Sequence, residues 1–516
     1  MKKLLIGFFV LINISWVSAQ NSITFYPDSA KHQISRHIYG HFAEHLGRLI
    51  YDGIYVDDSL DVETTNGLRN DIIAALKEIG IPNLRWPGGC FADTYNWRDG
   101  IGPKEDRPTI INTHWGGIVE NNSFGTHEFL ELCKLLDCEP VICGNVGSGT
   151  VREMSQWVEY LNFEGESPMA NLRKENGHED AFNVKYFGIG NENWGCGGNM
   201  SAEYYRDKMT NFSTYAKDYG SNKLYRVAGG PNSGDYHWME TLMSSARSRN
   251  SFQGVSVHHY TIEGDRWEDK GSATEYDERS WQKYMINAWR MDELVTKHSA
   301  IMDKYDPEKS KGLIIDEWGN WHLPEPGSNP GFLYQHNTLR DAVTASINFN
   351  VFNNHADRVK MANIAQVVNV LQALILTKEE EMLLTPTYYV FKMYKVHHDA
   401  MLIPSEVKGE TYGEGDRTMN AIQTSCSKAR DGKIHVTLSN VDPNKELEVE
   451  CGFEGLGKVK ALKGEIITGE KITSLNDFGQ EEQVNIQEFN SFKATGNKLT
   501  VKMPSKSVVM IELEVE

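Results

Sequence analysis

Apolar and polar residues alternate along this chain in two distinct rhythms. Between residues 36 and 366, short apolar runs at 37–42, 83–86, 140–143, 184–189, 224–228, 255–259, 313–315 and 358–362 are each followed by a stretch able to hold a helix. Those stretches carry the helical period: Leu68, Ile72, Ile73, Leu76 and Ile79 fall on one face, as do Phe129, Leu132, Cys133 and Leu136. Eight strand–helix alternations predict an α/β fold, a closed (β/α)8 TIM barrel over residues 36–385. Strand count alone does not prove closure, so a doubly wound open sheet is the competing arrangement.

Beyond Thr385-Pro386 the rhythm changes. Helical periodicity fades after residues 389–398, and alternating segments follow at 433–438, 446–451, 459–462, 498–503 and 508–515, separated by Gly, Asn, Asp and Pro turns. They predict a C-terminal antiparallel β-sandwich, jelly-roll-like, over residues 386–516. Residues 22–26, inside the N-terminal segment 20–35, are expected to add a strand to it. No internal repeat or low-complexity linker intervenes, so the two domains are expected to pack tightly.

The first nineteen residues read differently. Lys2-Lys3, an apolar run over 4–16 and the small-residue end Val17-Ser18-Ala19 make a signal peptide, with cleavage before Gln20 and an exported address, periplasmic or extracellular. The competing reading, a retained membrane anchor, needs a longer apolar span and stronger flanks. No other segment is long and apolar enough to cross a bilayer. Formal net charge is −19, and becomes −21 once Lys2 and Lys3 are lost with the leader. So acidic a surface repels phosphate backbones and anionic membranes, which argues against nucleic-acid or membrane partners and leaves a neutral substrate unopposed.

Seven cysteines form an odd set without a zinc-type C-x2-C pair. Cys133, Cys138 and Cys143 lie in or beside apolar runs, where buried free thiols are expected, and no disulfide framework is drawn.

Chemistry gathers where the predicted barrel strands end. Glu192 follows Gly190-Asn191, and Glu317 follows four apolar residues and Asp316. The two lie 125 residues apart, about three strand–helix units, so both can reach one barrel mouth. Asn191 can donate to a sugar hydroxyl, while a largely buried Glu192 keeps a raised pKa and acts as an acid. The alternative makes Asn191 a helix N-cap and Glu192 first-turn decoration. For Glu317, Arg85 and Tyr260 at the same rim supply the charge and hydrogen bond a nucleophilic carboxylate needs; a purely structural Arg85–Glu317 ion pair uses the same ingredients. Two carboxyls facing across one sugar-sized gap point to glycoside hydrolysis. His258, His259 and His322 raise the question of a metal, but no H-E-x-x-H occurs and the candidate ligands are not grouped, so hydrogen-bonded histidines are expected. No cofactor is implied, because two carboxylates and water suffice.

Six ordered blocks then carry a resemblance: residues 38–48 from Ile38 through Gly-His-Phe-Ala-Glu44 to Arg48, residues 84–91 around Arg85-Trp-Pro-Gly-Gly-Cys90, residues 95–103 around Tyr95-Asn-Trp97, Gly190-Asn-Glu-Asn193, Asp316-Glu-Trp318, and residues 357–371. Together they resemble the family-51 glycoside hydrolases, chiefly α-L-arabinofuranosidases, over nearly the whole chain. The resemblance implies a retaining double displacement that releases terminal non-reducing α-L-arabinofuranosyl groups from arabinan, arabinoxylan or derived oligosaccharides. Residue by residue, it makes Glu192 the acid/base and Glu317 the nucleophile. Glu44, Asn191, Tyr260 and Gln366 would hold the furanose or orient the nucleophile, with Arg85, Cys90 and Trp97 also at the substrate. It further implies a homo-oligomer. The alternatives are the same machinery on a β-xyloside or β-glucan, or a non-catalytic sugar-binding relative.

Overall fold

The computed structural model describes residues 21–57 and 59–516. The expected leader therefore lies outside the described residues. Eight parallel strands close a barrel: β1 (Gly40–Phe42), β2 (Asn83–Trp86), β3 (Glu139–Gly144), β4 (Tyr186–Ile189), β5 (Tyr225–Ala228), β6 (Gly254–Thr261), β7 (Gly312–Asn320) and β8 (Val359–Ala365). Each pairs with its neighbour in sequence, and β8 pairs with β1. Closure excludes the open sheet. Val141, Tyr186, Val227, Ile314 and Met361 form an apolar cluster that fills the barrel near the strand starts, which leaves the chemistry to the opposite mouth.

The outer helices follow the apolar stripes read from sequence. Asn70–Ile79 buries Ile72, Ile73, Leu76 and Ile79, and Gly80 ends it with φ 67°, a left-handed turn that suits glycine. One helix departs from that pattern. Leu339–Asn354 is buried along nearly its whole length although it carries Ser346, Asn350 and Asn353. It sits between the two domains, where Ser346 meets Ser439 at 2.8 Å and Asn350 Oδ1 accepts from Ser425 at 3.0 Å. These three polar side chains can be buried there because each finds a partner, Asn353 bonding Tyr39 and Ser425.

The sandwich has two sheets. One orders Ser405–Lys408, Asn21–Phe25, Leu447–Phe453, Lys498–Met503 and Phe492–Thr495; the other orders Met401–Leu402, Ile422–Lys428, Ile434–Asn440, Ser507–Val515, Val459–Ile467 and Gln487–Glu488. All pairs are antiparallel except Asn21–Phe25 with Leu447–Phe453. Ile23, Phe25, Val436, Val449, Val501 and Ile511 fill the space between the sheets. The segment at 386–394, expected on the sandwich side, is a helix, Pro386–Tyr394, that packs on Leu339–Asn354 as part of the barrel's outer layer. Among the described residues no helix is long and apolar enough to cross a membrane.

Candidate active site

The strand ends at the barrel mouth open into a cavity of about 600 Å³. Glu44, Cys90, Glu192, Tyr260, Glu317 and Gln366 line it. Backbone irregularities aim several of these groups. In a regular strand adjacent side chains face opposite ways, yet Asp316 and Glu317 are both buried beside the same partners. The β7–β8 register shifts between Ile315 and Trp318, and the β6–β7 register between Ser256 and His258, which brings His258 level with Glu317. Bulges of this kind re-aim side chains beside active sites. Trp318 then turns away from the mouth to pack on Phe349 and Phe352, while Trp321 reaches the cavity.

Glu192 stands just past β4 with φ 41°, a conformation costly for a residue with a Cβ and held here by the surrounding loop. The next helix, Ala202–Tyr215, is capped by Ser201, so Asn191 is no helix cap. Asn191 instead donates its backbone N–H to Asp93 at 2.8 Å and accepts from Arg85 Nη2 at 2.5 Å.

Glu317 is gripped at both oxygens. Arg85 Nη1 donates to Oε1 at 2.9 Å and the Tyr260 hydroxyl donates to Oε2 at 2.8 Å. The ion pair foreseen as a purely structural alternative is present, and it belongs to the same cluster as Glu192. His258 completes that cluster: Nδ1 lies 2.9 Å from Glu192 and 3.5 Å from Glu317, and Nε2 lies 3.0 Å from Asp316. One atom each of Glu192, His258 and Glu317 lie within 4.8 Å of one another. An oxygen of each carboxyl can therefore reach one anomeric centre, as double displacement requires.

The electrostatics follow from burial and neighbours. Burial, then the charge of Glu317, raises the Glu192 pKa above the usual carboxylate range. Burial alone would lower His258, but Glu317 and Asp316 outweigh it and hold the imidazole up at about 10. Asp316 is held low because Arg85 and His258 overcome its burial. Glu44 accepts from Phe91 N at 3.0 Å, Trp115 Nε1 at 2.9 Å and Gln366 Nε2 at 3.1 Å, yet burial lifts it to about 7.

Of the residues singled out from sequence, Glu44, Cys90, Glu192, Tyr260, Glu317 and Gln366 line the cavity. Arg85 and Asn191 stand behind its wall. Trp97 is elsewhere: it is buried against Trp157, with Nε1 donating to the Glu153 carbonyl at 3.0 Å, and it borders a separate small pocket. Its indole is drawn into the core stack by the helix Val151–Asn162 rather than to the mouth. Trp115, Trp194, Cys196, His258, His259 and Trp321 also line the cavity. The side chains of Gln366, Trp194 and His259 border the cavity, and their Oε1, Nε1 and Nε2 atoms are buried without a protein partner.

Cys90 and Cys196, 106 residues apart, form a disulfide across the rim. No spacing motif announces it, since the two cysteines come from different βα loops. Among the described residues the other five cysteines are free, and Cys133, Cys143, Cys426 and Cys451 are buried. Two groups of donor atoms converge as metal ligands would, Cys90–Glu192–Cys196 and Glu192–His258–Glu317. The first spends its sulfurs on each other, and in the second both imidazole nitrogens already face carboxylates. Neither donor set fits a metal.

Comparison with known proteins gives these features a context. The family model of the α-L-arabinofuranosidase 1 domain matches residues 75–279, and that of the α-L-arabinofuranosidase C-terminal domain matches residues 316–507. An intracellular exo-α-L-arabinofuranosidase of Bacteroides ovatus is 48% identical over 99% of this chain and 99% of its own. The crystal structure of the GH51 arabinofuranosidase from Xanthomonas axonopodis pv. citri superposes with a TM-score of 0.94 at 46% identity, covering 96% of this chain and 100% of that one. An α-L-arabinofuranosidase from Thermotoga maritima in an arabinose complex superposes at 0.83 with 29% identity, covering 96% and 99%. The Bacteroides relative overturns the exported address expected from the first nineteen residues, because it is intracellular by name and matches almost end to end. A lysine pair, an apolar run and a small-residue end are a pattern of composition, which does not fix an address by itself.

Proposed function

The chain belongs to the α-L-arabinofuranosidases of glycoside hydrolase family 51, and we propose that it releases terminal α-L-arabinofuranosyl groups from arabinose-containing poly- or oligosaccharides by double displacement. Glu192 acts as acid/base and Glu317 as nucleophile. The observation that carries this reading is the convergence of the two carboxyls within 4.8 Å at one mouth, one of them held by Arg85 and Tyr260.

The furanose sits at the cavity floor against Glu44 and Gln366, with its anomeric carbon facing Glu317. Arg85 and Tyr260 fix the attacking oxygen, so little reorientation is needed at the moment of reaction. Glu192 protonates the departing glycosidic oxygen as Glu317 forms the arabinosyl ester. Esterification removes the negative charge that helped raise the Glu192 pKa, so that pKa falls and Glu192, ionised by the first step, stays in the form that can take a proton from water. His258, bonded to Glu192, Glu317 and Asp316, steadies the charge through both steps.

Glu317→Ala should abolish turnover of 4-nitrophenyl α-L-arabinofuranoside with an unchanged circular-dichroism spectrum, and the first sugar released by the wild type should keep the α configuration in a time-resolved proton NMR spectrum. Activity surviving in the variant would remove Glu317 from the mechanism, and a β-configured first product would remove the double displacement.

A further inference from the structure

Glu192 is carried by a glycine-rich loop. Residues 195, 197 and 198 are glycines, Gly198 has φ 130°, and the carboxylate sits at a left-handed φ of its own. Within the loop, Gly195 N and Gly197 N both donate to the Glu192 carbonyl, at 2.7 and 3.1 Å. Those bonds shape the loop without attaching it to anything else. Two ties run from it to the segment after β2: Asp93, which accepts from Asn191 N at 2.8 Å, and the Cys90–Cys196 disulfide. Asp93 holds the root of the loop, ahead of Glu192, and takes a longer bond from Asn193 Nδ2 at 3.4 Å just past it. The disulfide holds it beyond Glu192, and Cys196 Sγ lies 3.5 Å from Glu192 Oε2.

We propose that the Cys90–Cys196 disulfide is a positioning element for the acid/base carboxyl, so that a dithiol reductant lowers the enzyme's ability to protonate poor leaving groups. The inference rests on the reading of Glu192 as the acid/base. In the reductive step a thiolate of dithiothreitol attacks one sulfur and the Cys90–Cys196 bond breaks; the reductant's second thiol closes its own ring. Two electrons and two protons pass to the chain, which ends with two thiols. The crosslink is then lost beside the carboxylate. Nothing else among the described residues is cut, because the remaining five cysteines are already thiols.

Leaving-group dependence separates positioning from a general loss of structure. A departing 4-nitrophenolate needs little proton assistance, whereas a sugar alkoxide needs the full contribution of a general acid, about 10² to 10⁴ in rate. A disulfide that merely held the fold would change both substrates alike. The experiment measures kcat/KM for 4-nitrophenyl α-L-arabinofuranoside and for an arabinofuranosyl xylo-oligosaccharide, using oxidised wild type, dithiothreitol-treated wild type, Cys196→Ser and Glu192→Ala. Thiols are counted under denaturing conditions and circular dichroism is recorded for each. Reduction should raise the count by two and lower the oligosaccharide value by about tenfold, a fraction of the full acid contribution, with little change for the aryl substrate. Cys196→Ser should match the reduced enzyme and ignore dithiothreitol. Equal losses on both substrates, no loss on either, or seven free thiols in the oxidised enzyme would overturn the proposal. If Glu192→Ala itself shows no leaving-group dependence, the acid/base reading fails instead, and the two failures are thereby told apart.

Discussion

Replacing His258 with Gln tests whether the cluster is held by a charged imidazole. The ring is almost fully buried and lies within 3.0 Å of Glu192 and Asp316 and 3.5 Å of Glu317. Gln keeps hydrogen-bonding capacity and removes the charge. The folded-state pKa of about 10 stands well above the ordinary 6.5, so the folded chain binds this proton more tightly than the unfolded chain does. That gap corresponds to a ceiling of about 5 kcal/mol, at about 1.4 kcal/mol per pH unit. The stabilisation is fully present below pH 6.5 and is lost as pH rises through about 10. The difference in stability between wild type and His258→Gln should therefore be largest near pH 6 and shrink by about 3 kcal/mol by pH 9. Urea titrations followed by tryptophan fluorescence at the two pH values read the difference directly. A difference that stays constant, or widens with pH, would mean that the ring is neutral in the folded enzyme and that the charge argument is wrong.

Two further outcomes follow from the site. Glu44 is raised to about 7 from the ordinary 4.5, so its ionisation costs the folded state above pH 4.5; Glu44→Gln should gain stability relative to wild type by up to about 3 kcal/mol between pH 5 and 8, while binding arabinose more weakly in calorimetry. A pH-independent difference would refute it. Trp97 lies outside the cavity wall, so Trp97→Ala should lose about 3 to 5 kcal/mol of stability in denaturant melts and leave the KM for the aryl arabinofuranoside unchanged; a raised KM would return Trp97 to the substrate.

The barrel was legible because strands buried on both faces read as nearly continuous apolar runs. The runs stopped short where β6 and β7 continue through polar residues to Thr261 and Asn320, since the mouth rewards chemistry rather than apolarity. In the sandwich, Ile422–Lys428 and Ser405–Lys408 escaped notice because their Ser, Thr and Lys content hides the alternation. Glu192 and Glu317 stood out because each ends an apolar run. His258 was read from the sequence as a hydrogen-bonded histidine, but its carboxylate partners, Glu192 and Asp316, are supplied only by folding. Cys90 and Cys196 illustrate the same limit, as two cysteines in separate loops meet only once the barrel has closed. Trp97 erred in the other direction: an aromatic in a polar block reads like a sugar platform, and only packing against Trp157 sends it into the core.

The division of labour proposed for the two glutamates follows from how few cations lie within salt-bridge distance of the carboxyls at the mouth. Glu44, Asp93, Glu192, Asp316 and Glu317 are gathered there, and among the described residues Arg85 and His258 are the cations within salt-bridge distance of them, with Arg290 on the cavity wall and Lys208 acting on Asp93 from further off. Five ionised carboxylates cannot share so few close positive charges in a buried site without large cost, so some must hold protons. Arg85 is committed to Asp316 and Glu317, at 3.4 and 2.9 Å, and does not reach Glu192 within salt-bridge distance. Burial accordingly lifts Glu44 and Asp93 to about 7 and raises Glu192 as well, while Asp316 is held down. On the proposed roles, the carboxyl outside the arginine's reach is the acid, and the one fixed by Arg85 and Tyr260 is the attacking group. The opposite roles proposed for two identical side chains thus rest on where a single guanidinium points.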